Sequence, residues 1–141
     1  MDNVDGGYQA TKHLIEHGHR RIAMIRGLEH HPDAVDRYQG YQQALAEAEI
    51  EFRPELVVDG DFSAESGLNC VQDLLSQSTK FTAIFAANDI TAFGARLALY
   101  RRNVRVPEDV SLVGFDDQME SAWMTPSRLA SNDSLAILPI S

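Results

Sequence analysis

The stretch Thr82–Asp89, TAIFAAND, decides the fold. After Thr82 it is apolar through Ala87, and a polar pair, Asn88-Asp89, follows at once. A strand with one wet face alternates apolar and polar residues, whereas a strand covered on both faces is apolar throughout. This run therefore reads as a central strand of a parallel sheet. Three further runs share its form: Arg21–Ile25 (RIAMI), Leu56–Asp59 (LVVD) and Ser111–Phe115 (SLVGF). Helical patterns lie between them, about Gly6–His17, Ala34–Glu49, Ala64–Ser76 and Ile90–Arg102. Asp5, Asp33 and Ser63 stand where caps belong, Asp89 opens the fourth helix, and Gly18 supplies a left-handed stop. Strands alternating with helices make βαβ units. The expected architecture is α/β: an open, doubly wound, mainly parallel sheet of order about 2-1-3-4, with helices on both faces.

The 141 residues suffice for one domain with a real core and are too few for two. No apolar run approaches the roughly 20 residues of a membrane helix, so no membrane partner is expected. The opening MDNVDGG lacks the basic and apolar regions of a secretion signal, and Cys70 is the single cysteine; both features fit the cytoplasm. Cys70 lies in a helical pattern and reads as a small core residue. The net charge of −9 argues against nucleic-acid binding by these residues, because neutralising phosphates takes clustered Lys and Arg. His19-Arg20-Arg21 and Arg101-Arg102 fall near helix ends, where they complement the negative end of the macrodipole.

An open α/β sheet binds its ligand in the crevice at the carboxyl ends of its strands. Those ends carry His31, Asp33 and Arg37 after the first run, and Asp61 and Phe62 after the second. Asn88 and Asp89 follow the third, and Asp116 and Asp117 the fourth. The set suits a small polyhydroxylated ligand. A ring such as Phe62 covers the apolar face of a sugar, while Arg37, a carboxylate and an amide bond neighbouring hydroxyls. Each also has a structural reading: Asp61, Asp89 and one of Asp116 and Asp117 as caps or turn residues, Arg37 as a solvated helix residue, Phe62 as core. No nucleophile with its base appears, nor a GxGxxG, GxxxxGK[ST] or GxSxG motif, so no catalytic residue and no cofactor are assigned. His30-His31 with Asp33 is a weak pattern for a metal, and no metal set is assigned. His17 and His19 flank the helix stop and read as surface residues.

Over about Asp2–Ser127 the sequence resembles the lactose-repressor (LacI/GalR) family of effector-responsive transcription regulators. The matching stretches are DNVDGGYQATKHLIEHGHRRIAMIRG, then R-x-x-G-Y at Arg37–Tyr41, GDFSAESG at Gly60–Gly67, TAIFAANDITAFGA at Thr82–Ala95 and VPEDVSLVGFDD at Val106–Asp117, in the family's order. The resemblance implies the C-terminal lobe of a periplasmic-binding-protein-like effector core. It also implies effector contacts at Arg37, Asn88 and Asp116, an aromatic wall at Phe62, and no catalysis. His31 and Asp33 lie in a loop that varies with specificity, and they join the candidate ligand-binding set. That loop lacks the Arg/Thr pattern of the purine-responsive member, so the expected effector is a sugar. Dimer contacts are implied at 64–68, 91–96 and 120–124.

In the family a helix-turn-helix head, a hinge helix and an N-terminal lobe complete the molecule; these 141 residues match none of them. Residues 1–127 are accordingly expected to form one lobe of a truncated or frame-shifted repressor, and 128–141 an atypical, poorly ordered tail. Operator DNA is expected as a partner only through the missing head, and a half-cleft is expected to hold ligand weakly. Two other readings stand beside this one. A lobe of a sugar-transport binding protein predicts a secretion signal. A small flavodoxin-like enzyme using Asp116 and Asp117 as acid and base predicts a closed pocket and a split between their pKa values.

Overall fold

A computed structural model describes residues 3–115 of the chain. Helices and strands alternate as α1 (Asn3–Glu16), β1 (Ile22–Arg26), α2 (Pro32–Glu47), β2 (Val57–Asp59), α3 (Ala64–Leu75), β3 (Ala83–Ala86), α4 (Asp89–Arg101) and β4 (Ser111–Gly114), with a turn of 3-10 helix at Pro54–Leu56. The strands form one sheet of order β2-β1-β3-β4, and every pairing is parallel. This is the expected order.

β3 is fully buried along its length, as its apolar run requires. Its side chains alternate between two cores. Ala83 and Phe85 join Ile22, Met24, Leu14, Tyr41 and Val113 under α1 and α2, while Ile84 and Ala86 join Ala23, Ile25, Val71, Leu99 and Leu112 under α3 and α4. A period of two on a sheet covered on both sides gives this division. β2, at one edge of the sheet, is only partly buried.

The helix ends correct several expectations. α1 begins at Asn3, so Asp5 lies inside its first turn rather than at its cap, where its charge still suits the positive end of the dipole. Its buried residues are Gly6, Gly7, Ala10, Thr11 and Leu14, with Tyr8 and Ile15 only half-buried. Small residues dominate because α1 lies very close to α2. A Cβ on Gly7 would sit 2.3 Å from the Arg37 carbonyl oxygen, and one on Gly40 would sit 2.1 Å from that of Val4. Gly18 closes α1 at φ +94°, with the His19 amide bonding back to Leu14 and the Gly18 amide to Ile15. His19 is half-buried rather than at the surface: its ring nitrogens lie 2.8 Å from Thr82 Oγ1 and 3.0 Å from Ser111 Oγ, tying together the amino edge of the sheet.

α2 is capped by His31, not Asp33; its imidazole Nδ1 accepts from the Asp33 amide at 3.1 Å, and Pro32 takes the first helical position, where no amide is needed. α4 is capped by Asn88, with Asp89 in its first turn. Ser63 caps α3 as expected: its Oγ accepts from the Ser66 amide at 3.0 Å.

Candidate functional site

In the order β2-β1-β3-β4 the chain leaves β1 toward one edge and β3 toward the other, so the loops after them part and open a crevice between their carboxyl ends. Most of the candidate residues gather there.

Phe62 stands half-buried over Gly27, the residue that follows β1. A Cβ on Gly27 would come within 2.1 Å of the ring, so glycine is what lets the ring lie against the backbone. His31 meets the ring edge-on, with centroids 5.3 Å apart at 78°. Phe62 takes φ +74°, a left-handed conformation that costs a non-glycine residue about 1–2 kcal/mol. The flanking loop holds it there. Asn88 Nδ2 donates to the Phe62 carbonyl at 3.3 Å, the Asp61 amide donates to Ser66 Oγ at 3.1 Å, and Asp61 Oδ1 accepts from the amide and hydroxyl of Ser63. The Ser63 hydroxyl and amide, with the Ser66 hydroxyl nearby, hold the Asp61 carboxyl below its ordinary range. Asp61 thus braces the loop.

Asn88 uses its other side-chain atom as well. Oδ1 accepts from the Thr91 amide at 2.8 Å and caps α4, so one amide joins the helix start to the loop that carries the ring.

Arg37 is not a solvated helix residue. It is 3% exposed, and its guanidinium lies 4.1 Å over the Phe115 ring. Nη1 donates to the Ala87 carbonyl at 2.7 Å, at the end of β3, and Nε donates to Asn3 Oδ1 at 3.0 Å. Asp33 Oδ2 is 3.9 Å from Nη2, and Asp33 Oδ1 accepts from Asn3 Nδ2 at 3.0 Å. A buried cation keeps its charge only among such partners.

Arg37, Asp33, Asn88, Phe62 and His31 are therefore linked in one unbroken set of contacts along the carboxyl edge. Asn3, absent from the sequence-based set, belongs to it. The fourth strand-end pair, Asp116 and Asp117, lies outside the described residues, as do the 120–124 contact stretch and the tail. His30 points outward and pairs with Glu29 at 3.5 Å. Cys70 is buried under α3; burial, with Asp73, Asp59 and Asp61 nearby, pushes its thiol up to about 11. Stretches 64–68 and 91–96 pack largely on each other, the Gly67 and Gly94 positions lying against the Thr91 and Ala64 carbonyls. Phe93 escapes that contact; with Ile90 and Tyr100 it forms an exposed apolar stripe on α4. Beside it lies a groove of about 670 Å³ lined by Arg96, Leu97, Val104 and Val106. No helix among the described residues is long and apolar enough to cross a membrane.

A family model described as a periplasmic binding protein-like domain matches residues 11–133. The HTH-type transcriptional repressor PurR of Haemophilus influenzae is 44% identical over 124 residues, covering 88% of this chain and 37% of the relative. PurR of Pectobacterium carotovorum is 41% identical over 128 residues, covering 90% and 38%. Among solved structures, a sugar-binding transcriptional regulator of the LacI family from Escherichia coli, complexed with phosphate, superposes with a TM-score of 0.81 at 39% identity, covering 83% of this chain and 42% of that one. The transcriptional regulator CelR in complex with cellobiose gives 0.80 at 45% identity, covering 83% and 36%. The chain thus spans well under half the length of these relatives. It belongs to the periplasmic binding protein-like domain family and corresponds to one lobe of the LacI/GalR regulators.

Proposed function

We propose that this chain supplies one wall of the effector site of a transcription repressor, and that the effector is a sugar. The observation that carries the reading is the linked set at the carboxyl edge, which joins a half-buried ring, a buried cation and a doubly bonded amide through His31 and Asp33. An apolar wall with a few fixed polar groups is what a small-ligand site needs. On this reading Phe62 covers the face of the sugar ring, Arg37 and Asn88 orient its hydroxyls, Asp116 adds a carboxylate, and His31 and Asp33 tune specificity. The loop between Gly27 and Asp33 lacks the Arg/Thr pattern of a purine-responsive regulator, and the similar CelR was solved with cellobiose. Both support a sugar over a purine.

Residues 1–127 act as the lobe and 128–141 as an appended tail. Operator DNA is reached through a head outside these residues, and the effector acts by favouring one arrangement of two lobes over another. The exposed stripe Ile90, Phe93 and Tyr100 supports a homodimer through α4 and the neighbouring contact stretches. The test is a titration of amide and side-chain NMR signals with millimolar cellobiose, ribose and galactose, and separately with hypoxanthine. Shifts clustered on Phe62, Asn88 and Arg37 with a sugar are expected. Shifts there with hypoxanthine alone, or with none of the four, overturn the reading.

A further inference from the structure

We propose that Asn3 is a positioning residue of this site: one side-chain amide, held between Arg37 and Asp33, keeps the two charges apart and fixes the plane of the guanidinium. The inference rests on the effector-site reading for its purpose but not for its geometry.

Asn3 Oδ1 accepts from Arg37 Nε at 3.0 Å while Asn3 Nδ2 donates to Asp33 Oδ1 at 3.0 Å. Arg37 and Asp33 are four residues apart on α2, a spacing at which a guanidinium and a carboxylate ordinarily close into a direct pair. Here Arg37 Nη2 stays 3.9 Å from Asp33 Oδ2. The interposed amide accounts for the gap, since it gives each charged partner the hydrogen bond it would otherwise take from the other. With Nε committed to Asn3 and Nη1 to the Ala87 carbonyl, two edges of the guanidinium are anchored and its plane is set. Only a side chain with a donor and an acceptor on one planar group can serve both neighbours. Asp offers two acceptors and Leu offers neither.

The backbone is built to bring Asn3 to this place. α1 precedes β1, so its first turn lies at the carboxyl edge of the sheet. The two glycine contacts press that turn onto α2, one of them against the carbonyl of Arg37 itself. Among the described residues, Asp33 and Arg37 of α2 are charged side chains bonded to Asn3, and its own helix contributes Asp5 two residues on.

The test compares the full chain with Asn3→Leu and Asn3→Asp. The first readout is the Arg37 Nε–H signal in a nitrogen-correlated NMR spectrum, which needs no ligand. In the parent chain it is protected from exchange; in Asn3→Leu that protection falls at least about tenfold. In Asn3→Asp the new carboxylate lies at hydrogen-bond distance from Asp33, so the two share a proton at acid pH and repel once both ionise. Its melting temperature should match the parent's near pH 4 and fall progressively below it toward pH 8. Cellobiose titration is the second readout, with an expected loss of about tenfold in affinity for Asn3→Leu and for Asn3→Asp at pH 8 only. A protected Nε–H signal in Asn3→Leu, or a melting difference for Asn3→Asp that does not change with pH, overturns the proposal. If cellobiose and the other probes leave the parent chain unchanged, the effector reading fails while the exchange and melting profiles still decide the role of Asn3.

Discussion

Replacing Gly27 by Ala tests the aromatic wall without altering any polar group of the site. The added methyl would lie 2.1 Å, 2.2 Å and 2.7 Å from three atoms of the Phe62 ring. Carbon atoms in contact prefer about 3.5–4.0 Å, so the ring must retreat by more than an ångström. Being half-buried it can tilt outward, but it then leaves the edge of His31, now 5.3 Å from its centroid. An aromatic pair of this kind contributes about 0.5–1.5 kcal/mol. Overpacking costs about 1–3 kcal/mol, nearer the lower end where the neighbour can move. Gly27 is outside the left-handed region, so alanine also restricts the unfolded chain and returns about 0.4–1 kcal/mol. The balance is a loss of about 1–2 kcal/mol, or a melting temperature lower by roughly 4–8 °C for a domain of this size. Thermal unfolding followed by circular dichroism measures the shift, and the His31 ring proton signals report the lost contact. The decisive control is the same substitution in a Phe62→Ala background, where the clash is gone and the penalty should vanish. If Gly27→Ala costs the same with and without the Phe62 ring, the ring does not rest on Gly27 and the wall is misplaced.

Four further outcomes are expected. His31→Ala removes the cap of α2 and should cost about 0.5–2 kcal/mol, whereas His31→Asn, a strong capping residue, should restore most of it in the same melting assay. Asp61 is held below its ordinary carboxyl range, so its contribution is fully present above that range and is lost as pH falls through the lowered value. Melting curves of Asp61→Asn and the parent should therefore differ at neutral pH and converge in acid. Cys70, with its thiol pushed up to about 11 under α3, should resist iodoacetamide at pH 7.5 in the folded chain and react once denaturant is added. Phe93→Asp, which charges the exposed stripe on α4, should shift sedimentation toward the monomer; an unchanged distribution would remove α4 from the interface.

The sheet was legible because its signal is repeated and redundant. Runs such as Ala83–Ala86 are apolar on both faces, and no one-residue error in their ends changes their order. Helix starts were less legible because a cap is decided by the reach of one side chain. Asn88 and Asp89 are both able to cap, and composition cannot choose between them. His31 is hard to read as a cap because imidazole is an unusual one, although Pro32, suited to a first helical position, marks the helix start. The strand ends place Arg37 and Phe62 at the crevice as candidates, but not the depth of Arg37, since its burial depends on Phe115 and Ala87, far away in sequence. Asn3 is not legible from the strand ends, because it stands on a helix that leads into a strand. A helix that leads into a strand begins at that strand's far end, and this rule would have led to it.

The caps of α2 and α4 are made by side chains of the site itself, His31 and Asn88, and this sets the terms on which the site can be redesigned. Randomising those two positions therefore changes helix stability along with the surface of the crevice, at a cost of about 0.5–2 kcal/mol for each lost cap. Phe62 is different, for its ring has no hydrogen bond to lose. Varying position 62 with the surface residues Leu28 and Glu29, while keeping His31, Asn88 and Arg37, leaves both caps in place, provided position 62 takes residues that tolerate its φ of +74°.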